Sequence, residues 1–189
     1  VDAEYVGGDL DTHDEFTTAS TAVGDGTDAG VVTRSGARPG DALCVTGEWG
    51  RSAAALRLFK RETDEAVERA NDLFRFTPRV ADGLALAGRA TAMMDSSDGL
   101  ARSLHQLAEA SDCGFSVERG RIPVFDGVDF DTGTTFGEDF ELVCTLPEDA
   151  LEAAREALGV DLTRVGTVVK AEQGITLDGE PMPDRGYTH

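Results

Sequence analysis

From residue 41 onward, short apolar or β-branched runs alternate with runs whose apolar residues recur every three to four positions. A strand buries every second residue and a helix buries a 3.6-residue stripe, so the alternation restricts this chain to helices layered on a sheet. The pattern predicts strands over 42–46, 91–95, 115–121, 141–146, 164–169 and 174–177. It predicts helices over 52–60, 64–74, 78–87, 99–110 and 149–158. Several carry start and stop signals. Thr77 precedes Pro78, Asp98 or Ser97 stands where an N-cap is wanted, and Gly88, Gly114 and Gly159 follow helix ends. Mixed in this order, the elements define an α+β fold. Residues 1–35 read differently, as strand and loop. Glu4-Tyr5-Val6, the β-branched stretch 16–23 and Val31-Val32-Thr33 are strand-like, with Gly24-Asp25-Gly26 and Asp28-Ala29-Gly30 as turns. The shift in composition near residue 36 predicts a domain boundary there, separating 1–35 from 36–189.

Charge excludes whole classes of partner. Seventeen basic against 36 acidic residues give a net charge of −19. Nucleic acid and anionic membrane both require a basic footprint, so neither is expected as a partner. Lys60 and Lys170 are the only lysines, and the other 15 basic residues are arginines. An acidic excess with few long lysine stems suits the salt-rich cytosol of a halophile. No apolar run approaches the ~18 residues of a membrane span and no signal-peptide pattern opens the chain, so a cytoplasmic location is expected. Cys44, Cys113 and Cys144 are widely spaced, form no C-x-x-C pair and have mainly apolar neighbours. They read as buried, reduced core thiols.

The segment richest in chemistry is Met93-Met94-Asp95-Ser96-Ser97-Asp98-Gly99-Leu100. An apolar strand ends in two carboxylates three apart, with hydroxyls between them, and glycine then opens a helix. Mg²⁺ takes oxygen ligands, one or two of them carboxylates, together with substrate phosphates. A helix start beside them offers N–H groups to phosphate. The plainer reading, that Asp95 and Asp98 only cap the helix, stays open. Two further segments are weaker alone. Val6-Gly7-Gly8-Asp9 lets backbone approach a phosphate, and Gly137-Glu138-Asp139-Phe140-Glu141-Leu142 sets acids before a strand. Elsewhere the expectations are bland. Trp49 is a packing aromatic in a loop, Met93 and Met94 are strand core, His105 is solvated, His13 is tuned by acidic neighbours, and Glu62, Asp64, Glu65 and Glu68 form a solvated face.

Taken in order, these segments, with Thr33-Arg34-Ser35-Gly36-Ala37-Arg38-Pro39-Gly40-Asp41, Val45-Thr46-Gly47 and Gly186-Tyr187-Thr188-His189, resemble the thiamine-monophosphate kinases. These belong to the superfamily of aminoimidazole-ribotide synthetase-like ATP enzymes. The resemblance implies a PurM-like fold, with 1–35 as the last strands of an N-terminal ATP-binding domain and 36–189 as the complete C-terminal domain. It implies ATP-dependent phosphorylation of thiamine monophosphate to thiamine diphosphate, with Mg²⁺, in a homodimer. Residue by residue, it implies ATP contacts at Gly8, Asp9, Arg34 and Ser97, and Mg²⁺ ligands at Asp9, Asp95 and Asp98. It also implies substrate contacts at Glu138 and Tyr187. Two other readings stay open: another ATP-dependent synthetase of the superfamily, or a non-catalytic nucleotide-binding module.

Overall fold

The computed structural model describes residues 4, 6–8, 14, 20–24, 26 and 30–186. Among them lie a seven-stranded mixed sheet and six α-helices, the α+β class expected. The strands are β1 Ala42–Thr46, β2 Ala92–Ser96, β3 Cys113–Val117, β4 Glu141–Leu146, β5 Leu162–Lys170, β6 Ile175–Leu177 and β7 Glu180–Pro181. The helices are α1 Arg51–Phe59, α2 Asp64–Phe74, α3 Val80–Leu86, α4 Leu100–Ser111, α5 Phe130–Thr135 and α6 Leu151–Ala157. The sheet runs β2-β4-β1-β5-β3-β6-β7, antiparallel except where β3 pairs with β6.

Alternation along the strands feeds two cores. On one face Leu43, Val45, Met94, Val143 and Phe115 pack with Leu100, Leu104 and Leu107 of α4. On the other, Ala42, Cys44, Leu142, Cys144 and Leu146 pack with Leu86 of α3 and with Leu151 and Ala154 of α6. With both faces covered, the central strands β1 and β4 are buried throughout, which is why consecutive apolar residues fill 42–45 and 142–144. The three cysteines are buried and unpaired as expected. Desolvation pushes the Cys44 thiol up to about 12 and Cys113 to about 11.

Several expectations are corrected. Pro78 does not open α3: the helix begins at Val80 without a side-chain cap, and Arg79 just before it pairs with Glu141. The strand expected over 115–121 ends at Val117 and gives way to a 3₁₀ turn over Arg119–Arg121. The last helix opens with a 3₁₀ turn and starts at Leu151. Helix α5 was not expected; Asp129 caps it by accepting the Thr132 N–H at 2.9 Å. Val31-Val32-Thr33 forms no strand, though the Thr33 carbonyl accepts the Met93 N–H at 2.9 Å beside β2. His105 is not simply solvated, since its Nε2 lies 3.0 Å from the Met182 carbonyl. Trp49 is core, at 1% exposure. Of the expected strand 16–23, residues 16–19 lie outside the described residues, as does His13, and 20–23 form no strand.

Candidate functional site

At one end of the sheet, β2 releases the chain into the turn 97–99. Asp95 is exposed, Ser96 is buried with its Oγ accepting from Ser103 Oγ at 2.7 Å, and Ser97 and Asp98 are half-buried. The Ser97 hydroxyl donates to Asp98 Oδ1 at 3.3 Å. The N-cap of α4 is Gly99, at φ 99°, and no side chain caps the helix there. The N-cap position thus falls to Gly99 and not to Asp98 or Ser97. Glycine is required at 99 because a Cβ would strike the backbone of Thr134 and Thr135.

The segment 137–141 lies directly on this turn. The Glu138 N–H donates to the Ser97 carbonyl at 2.8 Å, and the Phe140 N–H to the Ser96 carbonyl at 3.2 Å. Gly137, at φ 85°, approaches so closely that a Cβ would run into the Ser97 carbonyl. Glu138 and Phe140 also have positive φ, 62° and 52°. The side chains then diverge. Glu138 is exposed. Asp139 turns inward to 1% exposure and accepts from the backbone N–H groups of Gly50 at 2.6 Å and Ser52 at 2.9 Å. Burial raises the Asp139 pKa, against the lowering pull of those two donors. Phe140 stacks on Phe76 at 4.9 Å. Glu141 is sealed under Arg79, which grips both its oxygens at 2.8 and 2.7 Å, and Thr46 Oγ1 donates to it at 2.7 Å. Gly47 makes room, since a Cβ there would collide with the Glu141 carboxylate.

Beside this pair opens a polar cleft of roughly 350 Å³, lined by Gly47, Glu48, Arg51, Arg79, Glu141 and Asp161 among others. From the other side, the C-terminal stretch crosses the start of α4. Arg102 pairs with Asp184, and Gly186 packs against the Asp98 carbonyl and the Arg102 side chain.

The structure thus brings Ser97, Asp98 and Glu138 together, with Asp95 at the end of the adjoining strand. It places Arg34 elsewhere. The Arg34 carbonyl accepts from Ser111 Oγ at 2.9 Å, at the far end of α4. A 12-residue helix separates that point from the turn, about 18 Å at ~1.5 Å per residue. Gly8 is exposed, and Asp9 and Tyr187 lie outside the described residues. Sequence reasoning missed Ser52, Arg79 and the inward role of Asp139. Ser52 and Arg79 are 87 and 62 residues from their carboxylate partners, so no local spacing announces them.

Among the described residues no three carboxylate, imidazole or thiol groups gather as a ready metal cradle. Asp95 and Asp98 nevertheless offer hard oxygen donors of the number Mg²⁺ takes from protein when phosphates complete its shell. Both are donors of the kind that ion takes from protein.

The family described as AIR synthase related protein, C-terminal domain, matches residues 38–178. The chain is 55% identical over 195 residues to the thiamine-monophosphate kinase of Halobacterium salinarum, covering 100% of this chain and 66% of that protein. It is 40% identical over 197 residues to the thiamine-monophosphate kinase of Methanospirillum hungatei, covering 99% and 63%. The solved structure of AaThiL complexed with AMPPCP and TMP superposes with a TM-score of 0.71 at 28% identity, over 84% of this chain and 54% of that one. The chain therefore spans just under two thirds of these two curated relatives and about half of the solved structure.

Proposed function

Because the chain belongs to the family of AIR synthase related proteins, through their C-terminal domain, we propose that it is the C-terminal part of a thiamine-monophosphate kinase. The reaction would transfer the γ-phosphoryl group of ATP to thiamine monophosphate, giving thiamine diphosphate and ADP. The observation that carries this reading is the docking of the 137–141 segment on the 97–99 turn, which sets Ser97, Asp98 and Glu138 side by side. The similarity to two thiamine-monophosphate kinases, and to a structure holding a nucleotide analogue and TMP, supports it. In this reading 36–189 is the C-terminal domain and 1–35 the end of an N-terminal domain.

The acceptor is itself a phosphate, so the site needs no strong base; its work is positioning and charge neutralisation. Asp95 and Asp98, with Asp9, would hold Mg²⁺, which when bound neutralises phosphate charge. Ser97 would contact ATP through its hydroxyl, and Gly8 would let backbone approach the phosphates. Arg34, held at the far end of α4, would reach ATP with its guanidinium fork only at the part of the nucleotide remote from Ser97. Glu138 would meet the thiamine portion through its carboxylate, and Tyr187 would pack on the substrate rings. A homodimer in a halophile's cytoplasm, without nucleic-acid or membrane partners, completes the proposal. No helix among the described residues is long and apolar enough to cross a membrane.

A coupled ADP-release assay on the full-length protein, with ATP, Mg²⁺ and thiamine monophosphate, tests the reading. Thiamine diphosphate should accumulate in step with ADP. Turnover with a different acceptor but none with thiamine monophosphate would overturn it.

A further inference from the structure

Asp139 is an anomaly within its segment. Its neighbours Glu138 and Phe140 both hold positive φ, a conformation that non-glycine residues keep only when their surroundings enforce it. Three sets of contacts do so. Asp139 places one oxygen on each of two backbone N–H groups at the start of α1, those of Gly50 and Ser52. Ser52 Oγ returns a hydrogen bond to the Glu138 carbonyl at 2.6 Å. The Glu138 and Phe140 N–H groups close on the Ser97 and Ser96 carbonyls. A continuous link therefore runs from α1 through Asp139 and Glu138 to the turn carrying Ser97 and Asp98.

We infer that Asp139 is a positioning residue: its buried carboxylate clasps the 137–140 loop to α1 and so holds Glu138 in place beside Ser97. The functional half of this inference rests on the proposed kinase reading, since it takes Glu138 as a substrate contact. Asp95 and Asp98 have support besides this link, in β2 and at the start of α4. Loosening the clasp therefore acts on the acceptor more than on ATP. Asp139→Asn is the direct probe. Two N–H donors require two acceptor oxygens; an amide supplies one and turns an N–H₂ on the other donor.

Amide hydrogen exchange on this chain reads the clasp without any ligand. In Asp139→Asn the Glu138 and Phe140 amides should exchange at least about tenfold faster, with Val143 and Cys144 of β4 unchanged. In the full-length protein, the KM for thiamine monophosphate should rise by about tenfold or more while that for ATP stays within about twofold. If Asp139 acts through Glu138, Glu138→Gln combined with Asp139→Asn should raise that KM no further than the larger single change. Unchanged exchange at Glu138 and Phe140, equal rises in both KM values, or additive losses would each overturn the inference. Absence of turnover in the unsubstituted protein would instead overturn the kinase reading, and the exchange data would still decide for or against the clasp.

Discussion

Arg79 and Glu141 form a nearly sealed pair, with side-chain exposures of 15% and 2%. Hydrogen bonding to Glu141 raises the Arg79 pKa above its ordinary value. Removing one member of a buried pair strands the other charge, at about 3–5 kcal/mol. Arg79→Leu should therefore lower the urea-unfolding free energy by that amount, and Arg79→Leu with Glu141→Leu should recover most of it. A single substitution as mild as the double one would show that the pair is wetter than its burial implies. Asp98 makes a different demand. As a proposed metal ligand, Asp98→Asn should cut turnover of the proposed full-length kinase by about two decades; activity within about threefold of the unsubstituted protein would remove it from that role. Asp139 adds a pH signature. Its folded-state pKa lies above the ordinary 3.8, mainly through burial. The native state then holds this proton more tightly than the unfolded chain. The linked stability is full below the unfolded value and is lost as pH rises through the folded one. Unfolding curves between about pH 7 and pH 4 should show the stability of the unsubstituted protein, relative to Asp139→Asn, growing as pH falls. A difference that shrinks instead contradicts the sign.

At the scale of elements, the clasp between the 97–99 turn and the 137–141 segment depends on glycine. Gly137→Ala would add a Cβ against the Ser97 carbonyl at a φ of 85°. The loop must then retreat, and a loss of about 1–3 kcal/mol is expected by denaturant titration. Strand β4 and helix α2 were legible in the sequence to the residue, because a buried run and a clean apolar stripe are local signals. The turn from β2 into α4 was legible as a corner, but its cap was misread. Gly99, not an acid, takes the N-cap, since the 134–135 backbone crowds it. The start of α3 differs too: Thr77-Pro78 is a sound local signal, but the helix starts two residues later, beside the long-range contact of Arg79 with Glu141. Glu138 and Asp139 looked alike as two acids before a strand. What separates them is a contact with Gly50 and Ser52, 89 and 87 residues away, which no pattern within the segment encodes.

The whole molecule carries 19 more acidic than basic side chains, so most of its carboxylates have no basic residue to meet. Eight ion pairs form among the described residues, and apart from Arg79–Glu141 they lie at or near the surface. Each exposed pair is worth only about 0–1 kcal/mol, so screening them costs little. Screening the surplus has the larger effect, because like charges spread over a small surface repel one another across a Debye length of ~10 Å at 0.1 M salt. At 2 M that length falls to a few Å, and the repulsion that opposes the compact state is largely gone. Raising KCl from about 0.1 M to 2 M should therefore raise the melting temperature. Chloride is the better choice of anion, since sulfate would also strengthen apolar burial and obscure the cause. The charge origin can be isolated on α2 and the residue before its cap. Glu62, Glu65 and Glu68 are all exposed and make no ion pair among the described residues. Changing all three to Gln should raise the melting temperature at low salt and flatten its dependence on KCl. A melting temperature that stays level or falls with KCl in the unsubstituted chain would mean that its acidic excess is not tuned to concentrated salt.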